Sequence, residues 1–192
     1  MKKYSKTTYL VLCGLFAALM AICSFITIPL GFTPVPVNLG TLGVFLCGGI
    51  LGAKYGTVSE MVYVLLGAAG VPVFAGFRGG VGVLAGPTGG YIIGYLAAAF
   101  LIGLILDKYY SSKQNNNIAD ITGSVKLYAI LAGSLLLGLA ACYALGTLWF
   151  IISTGTGLWA SLVACVFPFI PGDIIKIAAG TFLVKKLRPL LR

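Results

Sequence analysis

Three ionisable residues stand within apolar sequence, apart from the other charges, and could bind a small polar solute. Asp173 and Lys176 are three residues apart, so on a helix they share one face and can pair. Arg78 lies in a glycine-rich stretch. A salt bridge with a helix-terminal aspartate is the plain structural alternative. Because ionisable groups at membrane depth are costly and usually face a cavity or each other, the pattern favours a polar pocket.

The stretch around Arg78 carries seven glycines between positions 76 and 90. Glycine permits close packing and tight turns, and lets backbone N–H groups approach an anion. The stretch lacks the sequence of a phosphate-binding loop, and the many glycines argue against a regular helix. Phe74, Phe77 and Tyr91 flank it, and with Arg78 they suit a small, partly apolar anion.

Other chemistry is poorly supported. The chain has no histidine, which excludes His-dependent catalytic triads and His-ligated metal sites. Its four acids are Glu60, Asp107, Asp120 and Asp173, and they form no evident acid–base pair on one side of a membrane. The five cysteines lie singly in apolar runs and are interpreted as reduced packing residues. We therefore predict no enzyme, no catalytic residues and no metal site.

The composition indicates that these residues lie in a protein embedded in a lipid bilayer. Of 192 residues, 59% are hydrophobic and only 9% charged, whereas soluble domains carry about 25% charged residues. The apolar runs are continuous, as in helices, and do not alternate as in barrel strands. The run after Lys2, Lys3 and Lys6 is too long for a signal peptide and is read as a retained first helix.

The sequence predicts an all-α, polytopic membrane protein, with residues 1–192 forming one substrate-binding domain. Its six-transmembrane-helix bundle has a glycine-rich outer loop and a solvated loop over residues 107–125. Leu158–Phe169 is predicted as a short outer segment, with the start of one long kinked helix as the alternative. The second and third spans are shorter than a bilayer, so they are tilted, extended or re-entrant. The expected spans are Tyr9–Pro29, Leu39–Ala53, Thr57–Gly70, Thr88–Leu106, Lys126–Ile152 and Pro171–Arg188.

The basic residues predict the orientation. With a cytoplasmic N-terminus, eleven of the thirteen Lys and Arg fall inside, and only Arg78 and Lys176 lie on the outer half. We expect a multi-pass plasma-membrane protein with both termini cytoplasmic and no nucleic-acid partner. Glu60 is interpreted as a helix N-terminal cap, and Trp149 and Trp159 as interface anchors.

The first helix carries small residues at positions that permit close helix approach. Gly14 with Ala18, and Ala17 with Ala21, are both spaced four apart. They could pack within the bundle or against another membrane subunit, and the sequence leaves these two readings open.

Several short motifs of the chain are characteristic. They are Val71-Pro72-Val73-Phe74-Ala75-Gly76, Gly79-Gly80, Gly86-Pro87-Thr88-Gly89-Gly90-Tyr91, Pro34-Val35-Pro36, and Pro171-Gly172-Asp173 with Lys176. Through these motifs nearly the whole chain resembles a known family, BioY, the biotin-specific substrate-binding subunit (S component) of energy-coupling-factor transporters.

The resemblance implies a six-helix protein that captures biotin from outside, working with a transmembrane coupling subunit and two cytoplasmic ATPase subunits. Biotin is then cargo, and no cofactor is expected. It also implies that Ala17 and Ala21, with Gly14 and Ala18, contact the coupling subunit. The candidate substrate-binding residues are Asn38, Phe74, Arg78, Gly79, Gly80, Thr88, Gly89, Tyr91, Tyr143, Asp173 and Lys176.

Biotin suits these residues chemically. Asp173 could accept from the ureido N–H groups, Lys176 could donate to the ureido carbonyl, and Arg78 with glycine N–H groups could hold the tail carboxylate. The opposite orientation, with Lys176 on the carboxylate, stays open. The rival interpretations are an S component for another vitamin, a lone secondary carrier and, remotely, an intramembrane enzyme.

Overall fold

A computed structural model describes residues 5–115 and 125–191 as a helical bundle. Within these described residues, five helical segments are long and apolar enough to cross a membrane. The helices are α1 (Lys6–Phe25), α2 (Gly40–Leu46), α3 (Gly52–Ala68), α4 (Val81–Ala85), α5 (Gly89–Asn115), α6 (Val125–Thr154), α7 (Leu158–Cys165) and α8 (Ile170–Leu191). The all-α, polytopic fold class is confirmed.

The two short spans form one helical segment that reverses direction. A π-helical turn, Cys47–Leu51, continues α2 directly into Gly52, whose positive φ of 81° breaks the helix. A Cβ at Gly56 would lie 2.5 Å from the Cys47 carbonyl oxygen, although nine residues of straight helix span about 13 Å. The chain therefore folds back at Gly52. The five apolar segments thus account for six passes, two of them short, as the sequence predicted.

An ion pair between the buried Arg188 and the partly buried Asp107 lies at this reversal. Arg188 is 2% exposed and donates to the Gly49 carbonyl oxygen and to the Asp107 carboxylate, both at 2.5 Å. The second Asp107 oxygen accepts the Ala53 N–H at 3.0 Å. Gly49 lies in the last turn before the reversal and Ala53 in the first turn of α3. Backbone groups in these turns lack partners within their own helix. The cation therefore meets a helix C-terminus and the anion a helix N-terminus, the favourable arrangement at both.

The prediction that a solvated loop begins at residue 107 and runs to residue 125 is wrong in its first part. Helix α5 continues to Asn115, and Asp107 lies within it. Hydropathy placed the end of the span at Leu106 because it counted Asp107 as a solvated charge, whereas Arg188 neutralises it. Residues 116–124 of the predicted loop lie outside the described residues.

Two further boundaries differ from the prediction. Helix α1 ends at Phe25, four residues before Pro29, because Thr27–Ile28 pairs antiparallel with Val37–Asn38 in a short hairpin. The glycine-rich stretch includes one helix, α4, where only loop was expected. Span five is confirmed as α6.

The last part of the chain contains two helices separated by a bend. Val166 has φ −126°, and a 3-10 turn, Phe167–Phe169, joins α7 to α8. Pro171 lies in the first turn of α8, where its missing N–H leaves no helical partner unsatisfied. Leu158–Leu191 is thus one apolar helical segment with a bend at Val166, and both predicted descriptions, a short separate segment and a long kinked helix, are compatible with it.

The small residues of α1 divide between two faces. Ala17 and Ala21 are 4% and 8% exposed and pack inside the bundle. Gly14 and Ala18 are exposed, and nothing lies within 4 Å of where a Cβ at Gly14 would project. The expectation that Ala17 and Ala21 contact a partner subunit is therefore wrong for this arrangement, because a helix periodicity of 3.6 residues turns the two pairs in different directions.

Glu60 and Trp149 also differ from the expectation. Glu60 lies in the middle of α3 and is fully buried, so it caps no helix; its carboxyl oxygens have no hydrogen-bond partner among the described residues. Trp149 does not simply anchor an interface, since its indole N–H donates to the Gly86 carbonyl at 3.0 Å and so fastens the glycine-rich stretch to α6.

Candidate substrate-binding site

A pocket opens at the end of the bundle opposite the Gly52 reversal. It is bounded by the hairpin, the glycine-rich stretch and the ends of α2, α3, α5, α6 and α8. Of the predicted residues, it brings together Asn38, Phe74, Arg78, Thr88, Tyr91, Tyr143, Asp173 and Lys176. Predicted residues from five separate parts of the sequence thus line one cavity.

Asp173 is the polar centre of the pocket. It is 3% exposed, and Lys176, 7% exposed, donates to its Oδ1 at 3.1 Å across one helical turn. The Thr41 hydroxyl approaches the same oxygen at 3.5 Å, and the Tyr143 hydroxyl donates to Oδ2. A carboxylate offers about four acceptor directions, so these contacts leave about one for a ligand N–H group.

Aromatic side chains form the walls around this charge. Tyr91 is 7% exposed and meets Tyr143 edge to face, with ring centroids 6.3 Å apart. Its hydroxyl bonds to that of Thr147 at 3.2 Å, which fixes the ring. Phe74 is 1% exposed and packs edge to face against Tyr63. A polar centre within rigid aromatic walls is the usual construction of a small-molecule site.

Arg78 lies at the mouth of the pocket and is exposed. Its Nε donates to the Ala75 carbonyl at 3.2 Å, and its backbone pairs with that of Phe74 across a tight turn. Arg78 lines the pocket while remaining exposed, a position suited to an anionic group that stays partly solvated.

Three predicted glycines do not line the pocket. The Gly80 N–H donates to the Gly67 carbonyl at 2.6 Å, and the Gly89 N–H to the Gly86 carbonyl at 3.0 Å. At Gly79 a Cβ would lie 2.5 Å from the Val71 carbonyl oxygen. The expectation that Gly80 and Gly89 offer N–H groups to a carboxylate is therefore wrong, because both donors are already used; these glycines permit close backbone packing.

Tyr95 and Thr41 line the pocket but are absent from the sequence prediction. Tyr95 could have been found, because it follows Tyr91 by four residues and so shares its helix face. Its hydroxyl packs closely on Gly40, where a Cβ would lie 2.8 Å away. Thr41 carries no sequence signal, since only the fold places α2 beside α8.

Fold and pocket together define the class of the protein. It is a polytopic helical membrane protein with a buried, charge-centred aromatic pocket at one end of the bundle. Such an arrangement binds a small solute that is partly apolar and carries hydrogen-bond donors.

The chain belongs to the BioY family, whose profile matches residues 1–192. It is 38% identical over 182 residues to the biotin transporter BioY of Thermotoga maritima, covering 94% of this chain and 96% of that protein. It is 35% identical over 189 residues to the biotin transporter BioY of Lactococcus lactis subsp. cremoris, covering 98% and 94%. The resemblance noted in the sequence is confirmed.

A crystal structure of the S component for biotin from an ECF-type ABC transporter has the same fold. It superposes with a TM-score of 0.81 at 34% identity, covering 98% of this chain and 95% of that one. These relatives are transporters, which supports the transport role expected from the sequence in preference to an enzyme.

Proposed function

We propose that the protein captures biotin as the substrate-binding membrane subunit of an ECF-type transporter. The observation that carries the proposal is the buried Asp173, held by Lys176 and Tyr143 within an aromatic pocket, in a member of the BioY family. The ureido ring of biotin supplies N–H donors, and its thiophane ring is apolar, so both match the interior of this pocket.

The charges favour one orientation of the ligand. Asp173 already neutralises Lys176 at 3.1 Å, so a second carboxylate beside them would add an uncompensated buried negative charge. The neutral ureido ring therefore lies deep, at Asp173, and the tail carboxylate stays at the mouth with Arg78.

Arg78→Ala should weaken biotin binding about two- to fivefold, as expected for the loss of a partly solvated ion pair. The same variant should bind biotin methylamide, which lacks the carboxylate charge, within about twofold of the wild-type affinity. Calorimetric titration of both ligands measures the difference. An equal loss for both ligands would place the carboxylate elsewhere and favour the reversed orientation.

We propose that the pocket faces outward and both termini face the cytoplasm, from the distribution of basic residues. The five native cysteines are buried, so an introduced cysteine can be labelled selectively. In intact cells an impermeant maleimide should label Phe32→Cys, which is 67% exposed in the native side chain, and should not label Asn115→Cys. Strong labelling at position 115 would overturn this topology.

We also propose that the coupling subunit docks on the α1 face that carries Gly14 and Ala18. Ala18→Trp should abolish uptake and co-purification with the coupling and ATPase subunits, because a bulky side chain prevents close helix approach. Biotin binding should persist. Leu137→Trp, on an exposed position of α6, is the matched control and should change neither.

Loss of biotin binding in Ala18→Trp, with co-purification intact, would contradict the docking proposal.

The transport role itself is tested in cells that lack other biotin uptake. Expression of this chain with its coupling and ATPase subunits should restore uptake, whereas full uptake by the chain alone would instead support a lone carrier.

A further inference from the structure

A second cavity adjoins the mouth of the pocket. It occupies about 360 Å³ between the chain from Phe25 to Pro36 and the turn from Ala75 to Arg78. We call it the vestibule. Pro36, Ala75 and Arg78 line both the vestibule and the pocket, so the two spaces meet beside the Arg78 side chain.

The walls of the vestibule are apolar. Phe25, Leu30, Phe77 and several prolines form them, and Arg78 is the only charged lining residue in the described part of the chain. The hydroxyl groups of Thr27 and Thr33 are already bonded to backbone groups nearby. The cavity therefore suits a short apolar chain that leaves the pocket past Arg78.

One wall of the vestibule is held in a strained conformation. Phe77 has φ +56°, a left-handed value that is unusual and unfavourable for a bulky residue. Its ring stacks on Phe25 with centroids 4.4 Å apart and planes inclined by 22°. The stack and the Phe74–Arg78 backbone pair hold the turn so that its aromatic side covers the cavity.

Resting on the proposed function, in which the tail carboxyl group reaches Arg78, we infer that the vestibule is a subsite for a group joined to that carboxyl. The ligands it admits are N-alkyl amides of biotin. The amide carbonyl still accepts a hydrogen bond from Arg78, and the alkyl group enters the apolar vestibule. The acceptor loses its negative charge, which weakens the contact with Arg78, and burial of the alkyl group offsets that loss.

Titration of the purified full-length protein with biotin and biotin N-butylamide tests this inference. Wild-type protein should bind the amide within about tenfold of biotin. Leu30→Trp, which fills the vestibule, should lower the affinity for the amide at least about tenfold. Its affinity for biotin should change less than about threefold. Retained biotin affinity shows that the variant is folded. Ile28→Trp is the matched control, since Ile28 is 64% exposed on the same hairpin and does not line the vestibule.

A second variant guards against misfolding of the first. Phe77→Ala removes the aromatic wall and should lower the affinity for the amide about three- to tenfold more than the affinity for biotin. An amide more than about 100-fold weaker than biotin in wild-type protein, or equal losses for both ligands in both variants, would overturn the inference. Failure of biotin itself to bind wild-type protein would instead refute the proposed function, and with it the subsite.

Discussion

Asp173→Asn should weaken biotin binding about 10- to 150-fold, corresponding to roughly 1.5–3 kcal/mol for a charge-assisted hydrogen bond in a desolvated pocket. The substitution keeps the size of the side chain but replaces one acceptor oxygen with a donor. It also leaves Lys176 without its counter-charge and disturbs the bond from the Tyr143 hydroxyl. Equilibrium binding to folded, monodisperse protein measures the effect.

Two comparisons separate the role of the charge from that of the contact. Lys176→Met should cost less than Asp173→Asn, because Asp173 keeps its contacts from Tyr143 and Thr41. The double variant should be non-additive, as expected for residues in direct contact. Binding by Asp173→Asn within about twofold of wild type would show that Asp173 does not hold the ligand.

Arg188→Gln should lower the free energy of unfolding by roughly 3 kcal/mol, which for a chain of this size lowers the midpoint by roughly 6–12 °C. Arg188 is buried, and its loss leaves the Asp107 carboxylate and the Gly49 carbonyl without this donor at the helix reversal. Thermal unfolding in detergent, followed by circular dichroism, gives the shift.

Lys186→Gln provides the matched control, since Lys186 lies two residues away on α8 and is exposed. It should change the free energy of unfolding by less than about 0.5 kcal/mol. Asp107→Asn should destabilise about as much as Arg188→Gln, and the double variant should cost less than the sum. Equal midpoints for Arg188→Gln and Lys186→Gln would show that the ion pair does not support the reversal.

Hydropathy was enough to predict the helical passes, and it failed where tertiary contacts changed the meaning of a residue. By hydropathy alone, Asp107 is a polar loop residue. In the fold, Arg188, 81 positions later, donates to its carboxylate and neutralises it. The reversal at Gly52 depends on a positive φ. Glycine permits this conformation, but a glycine in an apolar run does not by itself predict it. The hairpin strands contain two residues each, too short for an alternating pattern to appear.

The site was predicted best where residue type alone restricts function. Asp173, Lys176 and Arg78 stood out because charge is rare in this chain, and the structure brings all three to one pocket. The glycines were misread because the sequence cannot distinguish a free N–H group from one that another loop already uses, as at Gly80. Spacing likewise could not tell which of two small-residue pairs on α1 faces outward.

Binding of radiolabelled biotin to the purified, detergent-solubilised chain, without any partner subunit, tests the account most directly. Equilibrium dialysis should show one saturable site per chain. Unlabelled biotin should displace the label, and thiamine and riboflavin should not. Absence of saturable binding by folded protein, or equal displacement by an unrelated vitamin, would contradict the assignment of this pocket to biotin.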